Sequence, residues 1–201
     1  MTLWTFAAAI LPPLTAALIA GALGAAAFTP RLTTGSVVPV ALFGLLLFVA
    51  MLTFKRARGW NAALLVAFSF SASGVVSWLF QGRVGGTWLG ALSAAVVILA
   101  ISAIVGRRVG PRLVGIGAWL WLLSWVYLFG WVVVAVLQPS PAWIRGWAAG
   151  GVIVYAGLTS AWFAGLDPQA LDPSGTAWAV DLYLLGLNLT IAARVLMWRV
   201  S

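Results

Sequence analysis

Seven runs of predominantly apolar residues, separated by short polar connections, fill nearly the whole of this chain. At 1.5 Å rise per residue, a helix of about 20 residues spans the roughly 30 Å hydrocarbon core of a bilayer. Backbone N–H and C=O groups cannot face lipid unpaired, so a span must be a helix or a strand of a closed barrel. Barrel strands alternate polar and apolar residues, and these runs do not. An all-α, polytopic transmembrane helical bundle is therefore expected, as a single integral membrane domain. Spans are expected at residues 3–28, 37–54, 60–80, 87–106, 112–137, 142–166 and 177–198. Composition agrees: 64% of residues are hydrophobic and 7% charged. A soluble domain carries far more charge than this.

The net charge of +8 does not form a nucleic-acid patch, because the cations lie between the spans. Lys55, Arg56 and Arg58 follow the second span, and Arg107, Arg108 and Arg112 lie between the fourth and fifth, on the same side. The opposite connections hold only Arg31, Arg83 and Arg145. By the positive-inside rule the N-terminus is expected in the cytoplasm and the C-terminus outside, in an inner (plasma) membrane. The bilayer is the expected partner, with no nucleic acid. The first apolar run has no cationic start and is too long for a signal sequence, so it is expected to remain as a span.

The chain has no cysteine and no histidine, which excludes disulfides, thiol chemistry and a histidine metal or proton-relay site. No carboxylate pair, nucleophile–base arrangement or metal cluster stands out, so an enzyme is not expected and no cofactor is implied. The only lysine, Lys55, sits at a span end in a basic loop, an unsuitable place for a retinal Schiff base.

Proline removes a backbone donor, so Pro12–Pro13 should kink the first span. Small residues of the first span (Ala16, Ala17, Ala20, Gly21 and Gly24), and Gly86 and Gly90, four apart, suit close helix approach. Of the three acidic residues, Asp167 and Asp172 fall in a turn-rich connection, DPQALDPSGT, where solvation explains them. Of the thirteen tryptophans, Trp4, Trp60, Trp88, Trp143, Trp147, Trp178 and Trp198 lie near span ends, as in an aromatic belt. Trp119, Trp121, Trp125 and Trp131 cluster in the fifth span with Tyr127 and Phe129. They are either bulky packing surface or a stacking site for a flat ligand such as a porphyrin or sterol.

The third acid, Asp181, lies inside the last span. A charged residue at a helix centre costs about 2.5–3.5 kcal/mol on insertion scales, so it needs a partner or a role. Asn188, seven residues on, points almost the same way, with Leu185 between them on that face. This polar stripe should face the bundle interior. It is either a cation or proton path, or an interhelical hydrogen-bond pair with Asp181 near the helix N-terminus. Arg194, near the far interface, suits an anchor that snorkels to phosphates. Polar partners on other spans are Asn61, Ser69, Ser71, Ser73 and Ser77 in the third and Tyr155, Thr159 and Ser160 in the sixth.

Several stretches together resemble the Bax inhibitor-1 (TMBIM-type) family of seven-helix membrane proteins. Asn61-Ala-Ala-Leu-Leu-Val-Ala-Phe-Ser-Phe with Ser-Ala-Ser-Gly74 is similar to its third helix. Residues 91–123, with the basic Gly106-Arg-Arg-Val-Gly-Pro-Arg112, are similar to its fourth and fifth. Ala179-Val-Asp-Leu-Tyr183-Leu-Leu-Gly-Leu-Asn188-Leu resembles its closing pattern. The resemblance implies a bundle with the last helix near the centre. It also implies a cation leak, with calcium as permeant ion, or a regulator of ion homeostasis. The family's pH-sensitive latch is a pair of aspartates on the sixth and seventh helices. Here those positions fall on Ala161 and Leu185, so the paired latch is missing, and Asp181 lies one turn from Leu185. The expected ion-path residues are Asp181 and Asn188. The alternative expectation is a binding or sensor protein, without transport, that uses the aromatic fifth span.

Overall fold

The computed structural model describes residues 3–28, 30–54, 60–79, 88–137, 140–165 and 176–197. Among them are seven α-helices and no strand: α1 (Leu3–Phe28), α2 (Thr34–Thr53), α3 (Trp60–Leu79), α4 (Trp88–Val109), α5 (Pro111–Leu137), α6 (Pro141–Ala164) and α7 (Thr176–Leu196). All seven are long and apolar enough to cross a bilayer. The chain is an integral membrane protein of the all-α class. Lys55, Arg56, Arg58, Arg83, Gly86, Asp167, Asp172 and Trp198 lie outside the described residues.

Helix boundaries follow backbone chemistry more closely than they follow charge. α4 runs through Arg107 and Arg108 to Val109, three residues past the expected end. Cations in a last turn complement the helix dipole, so they do not end a helix. Gly110 ends it. Its φ of 57° is left-handed, and its N–H closes on the Gly106 carbonyl at 3.0 Å. Pro111 then starts α5 at the position where a missing N–H costs nothing.

α2 begins three residues before its expected start because Thr33 and Ser36 form a capping box. The Thr33 N–H donates to Ser36 Oγ at 2.9 Å, and the Ser36 N–H donates to Thr33 Oγ1 at 3.3 Å. Ser140 caps α6 in the same manner, accepting the Trp143 N–H at 3.4 Å. α1 passes through Pro12 and Pro13 without a break in the helix.

The helices group into two compact units. The first holds α1, α2, α3 and α7 as far as Tyr183. Here α3 packs against both α1 and α2. Glycines set the α1–α3 seam: the Gly24 backbone lies directly on the Phe70 carbonyl, Gly21 lies against the hydroxyls of Ser69 and Ser73, and the Phe28 ring covers Gly74. Phe28 meets Phe70 edge-on at 5.2 Å, and Phe48 meets Phe68 at 5.6 Å. Without a strong hydrophobic drive between helices in lipid, such backbone approach supplies the packing.

The second unit holds α4, α5, α6 and α7 from Leu184 onward. Here α6 packs against both α4 and α5. The Gly106 backbone lies on the Ser160 carbonyl, Gly130 seats the Trp147 ring, and Gly150 seats the Tyr127 ring. Ala95, Tyr155, Leu185 and Leu189 form its buried core.

Candidate functional site on the last helix

Of the seven spans, α7 is the most enclosed, with 61% of its central stretch buried. Asp181, Tyr183, Asn188, Thr190 and Arg194 interrupt its aliphatic residues. Burying those side chains in hydrocarbon requires hydrogen bonds, and most are made locally or to one neighbouring helix.

Asp181 is half-buried, in the second turn of α7. Asn188 is buried, two turns further along the same helix. Its amide nitrogen donates to the Leu184 carbonyl at 2.8 Å. Its amide oxygen is fully covered and accepts no hydrogen bond among the described residues. An orphaned acceptor in a buried position is costly, about 1–3 kcal/mol, and such groups call for an explanation. Thr190 donates its hydroxyl to the Gly186 carbonyl at 2.7 Å. Arg194 is half-buried in the last turn, where its charge complements the helix dipole.

On α6, Thr159 donates to the Tyr155 carbonyl at 2.7 Å and Ser160 to the Ala156 carbonyl at 2.9 Å. The Tyr155 hydroxyl reaches across to α5 and donates to the Ser124 carbonyl at 3.0 Å. In each case the proton goes to a backbone carbonyl, which leaves oxygen lone pairs for any further contact. Among the described residues there is no group of three or more acidic, cysteine or histidine side chains that could hold a metal ion.

Ala161 and Leu185, singled out in the sequence, are buried and apolar. Leu185 packs with Tyr155, Leu189 and Ala95. The Ala161 methyl abuts Gly117 of α5. A carboxylate at either position would meet hydrocarbon surroundings, and neither residue can titrate.

One polar cluster was not legible from spacing. The Ser69 hydroxyl, fully buried on α3, donates to the Ala17 carbonyl of α1. The Tyr183 hydroxyl lies 2.5 Å from Ser69 Oγ. Ser69 has one proton, and it goes to Ala17, so Tyr183 is the donor of that pair. Serines of the third span stood out in the sequence as general polar partners. Tyr183 carried no signal beyond its closeness to Asp181.

The aromatic cluster of α5 divides between two faces. Trp131 is buried, and Tyr127 packs on Trp147 with ring centroids 4.4 Å apart. Trp119, Trp121 and Phe129 point outward, with exposures of 69%, 56% and 56%. A groove of about 550 Å³ runs between Trp125, Phe129 and Gly130 of α5 and Trp143 and Trp147 of α6. Its walls are flat: Trp125 stacks on Phe129, and the Trp143 and Trp147 rings lie within 6° of parallel.

Comparison with family models, with curated proteins and with solved structures finds no match for the chain. Fold and site together define a class, a seven-helix integral membrane protein whose most buried helix carries the carboxylate and the amide. The narrower reading rests on the chemistry of that helix.

Proposed function

We propose that this protein is a cation leak of the inner membrane, built on a Bax inhibitor-1-like plan, with α7 lining the permeation path. The observation that carries the reading is the Asn188 amide oxygen, covered and without a donor among the described residues. An unpaired buried carbonyl oxygen is a suitable ligand for a passing hard cation. Asp181 supplies a negative charge that concentrates cations at the approach to it. The hydroxyls of Thr159, Ser160 and Thr190, each already donating to a carbonyl, present acceptors to their surroundings. The resemblance of residues 179–189 to the family's closing pattern supports the same reading. With Ala161 and Leu185 at the latch positions, no shared-proton pair gates the path. The pH dependence of flux is therefore expected to be shallow.

The orientation that follows from the basic connections places the N-terminus in the cytoplasm. A reporter fused to the C-terminus should then be active only outside.

The test is calcium entry into proteoliposomes, read with an encapsulated dye at pH 6, 7 and 8. Flux that is lost in a folded Asp181→Asn variant supports the path. Flux unchanged in that variant removes Asp181 from the mechanism, and no flux above empty liposomes removes the leak.

The aromatic groove beside α5 favours a second reading, a membrane binding protein for a flat apolar ligand. Its stacked rings would quench when such a ligand enters. Titration of tryptophan emission with porphyrins and sterols tests it, and an unchanged spectrum across the panel counts against it.

A further inference from the structure

The Tyr183 clasp uses more chemistry than helix packing needs. A phenol at membrane depth must find an acceptor. Tyr183 finds one that the first unit has assembled from two helices. Ala17 is fully buried, and its carbonyl accepts from Ser69. Gly21, one turn along α1, has no side chain. A Cβ there would come 2.8 Å from the Ser73 hydroxyl and 2.9 Å from that of Ser69. The missing side chain at Gly21 leaves room for both hydroxyls of α3, and that of Ser69 settles on the α1 backbone.

The phenol ring is held separately. Phe68 meets it edge-on at 6.3 Å, and Phe48 supports Phe68 from α2. A hydroxyl bond alone would act as a pivot. Together, a ring contact and a hydroxyl bond set the rotation of the helix that carries them.

The setting matters because of what lies two residues earlier. At 100° per residue, Asp181 is about 200° round the helix from Tyr183. With Tyr183 turned into the α1–α3 seat, Asp181 is turned away from it. Burial follows this division: Ala179, Val180 and Tyr183 are buried, and Asp181 and Leu182 are half-buried.

We propose that Tyr183 is a positioning residue, whose clasp on Ser69 and the Ala17 carbonyl fixes the rotation of this part of α7 and so the direction in which Asp181 faces. The role rests on the reading of Asp181 as an ion-path residue.

The protein has no cysteine, so single reporter cysteines are unambiguous. Asp181→Cys and Val180→Cys are made one at a time, in three backgrounds: native, Tyr183→Phe and Ser69→Ala. Each protein is reconstituted in liposomes and its labelling rate by a small, charged thiol reagent is measured. With the clasp intact, position 181, half-buried, should react several-fold faster than position 180, which is fully buried. Either background substitution should bring the two rates together, and combining both should add little, because they break one linkage. Circular dichroism confirms that each variant is folded. Ser69→Ala keeps the tyrosine and serves if Tyr183→Phe does not fold.

Labelling rates that ignore both substitutions in folded protein overturn the positioning role. So do equal rates at 181 and 180 in the native background. Calcium flux is scored separately. Clasp-dependent labelling without flux overturns the leak and supports the clasp. Flux with clasp-independent labelling supports the leak and overturns the clasp.

Discussion

Gly24→Ala places one methyl group where the structure has no room for it. The new Cβ would stand 1.9 Å from the Phe70 carbonyl oxygen of α3, and it must move beyond 3.0 Å. That oxygen belongs to the backbone, so no rotamer change relieves the clash and α1 must part from α3. A gap on the order of 1 Å forfeits a quarter to a half of the dispersion energy of each contact it opens. Overpacking of this kind costs about 1–3 kcal/mol. An alanine recovers up to about 1 kcal/mol of helix propensity. The rigid obstacle favours the upper end of the cost, which leaves a net loss of roughly 2 kcal/mol. For a chain of this size that lowers the melting temperature by roughly 4–8 °C. The assay is thermal unfolding in detergent, followed by tryptophan emission. Gly35→Ala is the control, because a Cβ there meets nothing within 4 Å. It should melt at or above the native temperature. If Gly24→Ala melts with the control, backbone contact does not hold the α1–α3 seam and the packing argument fails.

Gly110→Ala forces an alanine into the left-handed region at the α4–α5 turn, and melting should fall by the equivalent of about 1 kcal/mol or more. Gly115→Ala, in open space on α5, should hold or raise it. Tyr155→Phe removes the bond to the Ser124 carbonyl, and the loss should be near the small average for interhelical bonds in membranes, about 0.6 kcal/mol, seen as a slight drop in melting temperature. Asn188→Leu removes a buried acceptor that lacks a donor, so stability should hold or rise by about 1 kcal/mol. Calcium entry into proteoliposomes should fall in the same variant. Normal flux in folded Asn188→Leu would exclude the amide from the path.

Certain features of this protein were already determined by residue order. Seven helices were legible because hydrocarbon tolerates no unpaired backbone, and the run lengths match the bilayer. Asp181 and Asn188 stood out because a charge and an amide are conspicuous among leucines and alanines. Their shared face followed from helical period alone. Local chemistry also ended α4 at Gly110, although weighting the arginines as a boundary placed that end three residues early.

Tertiary structure decided which side chains meet. Ser69 and Tyr183 are 114 residues apart, and nothing in either segment names the other. Their pairing depends on how α1, α3 and α7 are rotated about their own axes. That rotation is set by a few glycines whose backbones touch another helix: Gly21 and Gly24 here, Gly106 and Gly130 in the second unit. Gly21 and Gly24 were legible as close-approach residues of the first span, whereas Gly106 and Gly130 were not, and none of them names the helix it meets. The division of the α5 aromatics into a buried set and an outward set has the same origin. A helix that is apolar all round shows no preferred face until its neighbours cover one.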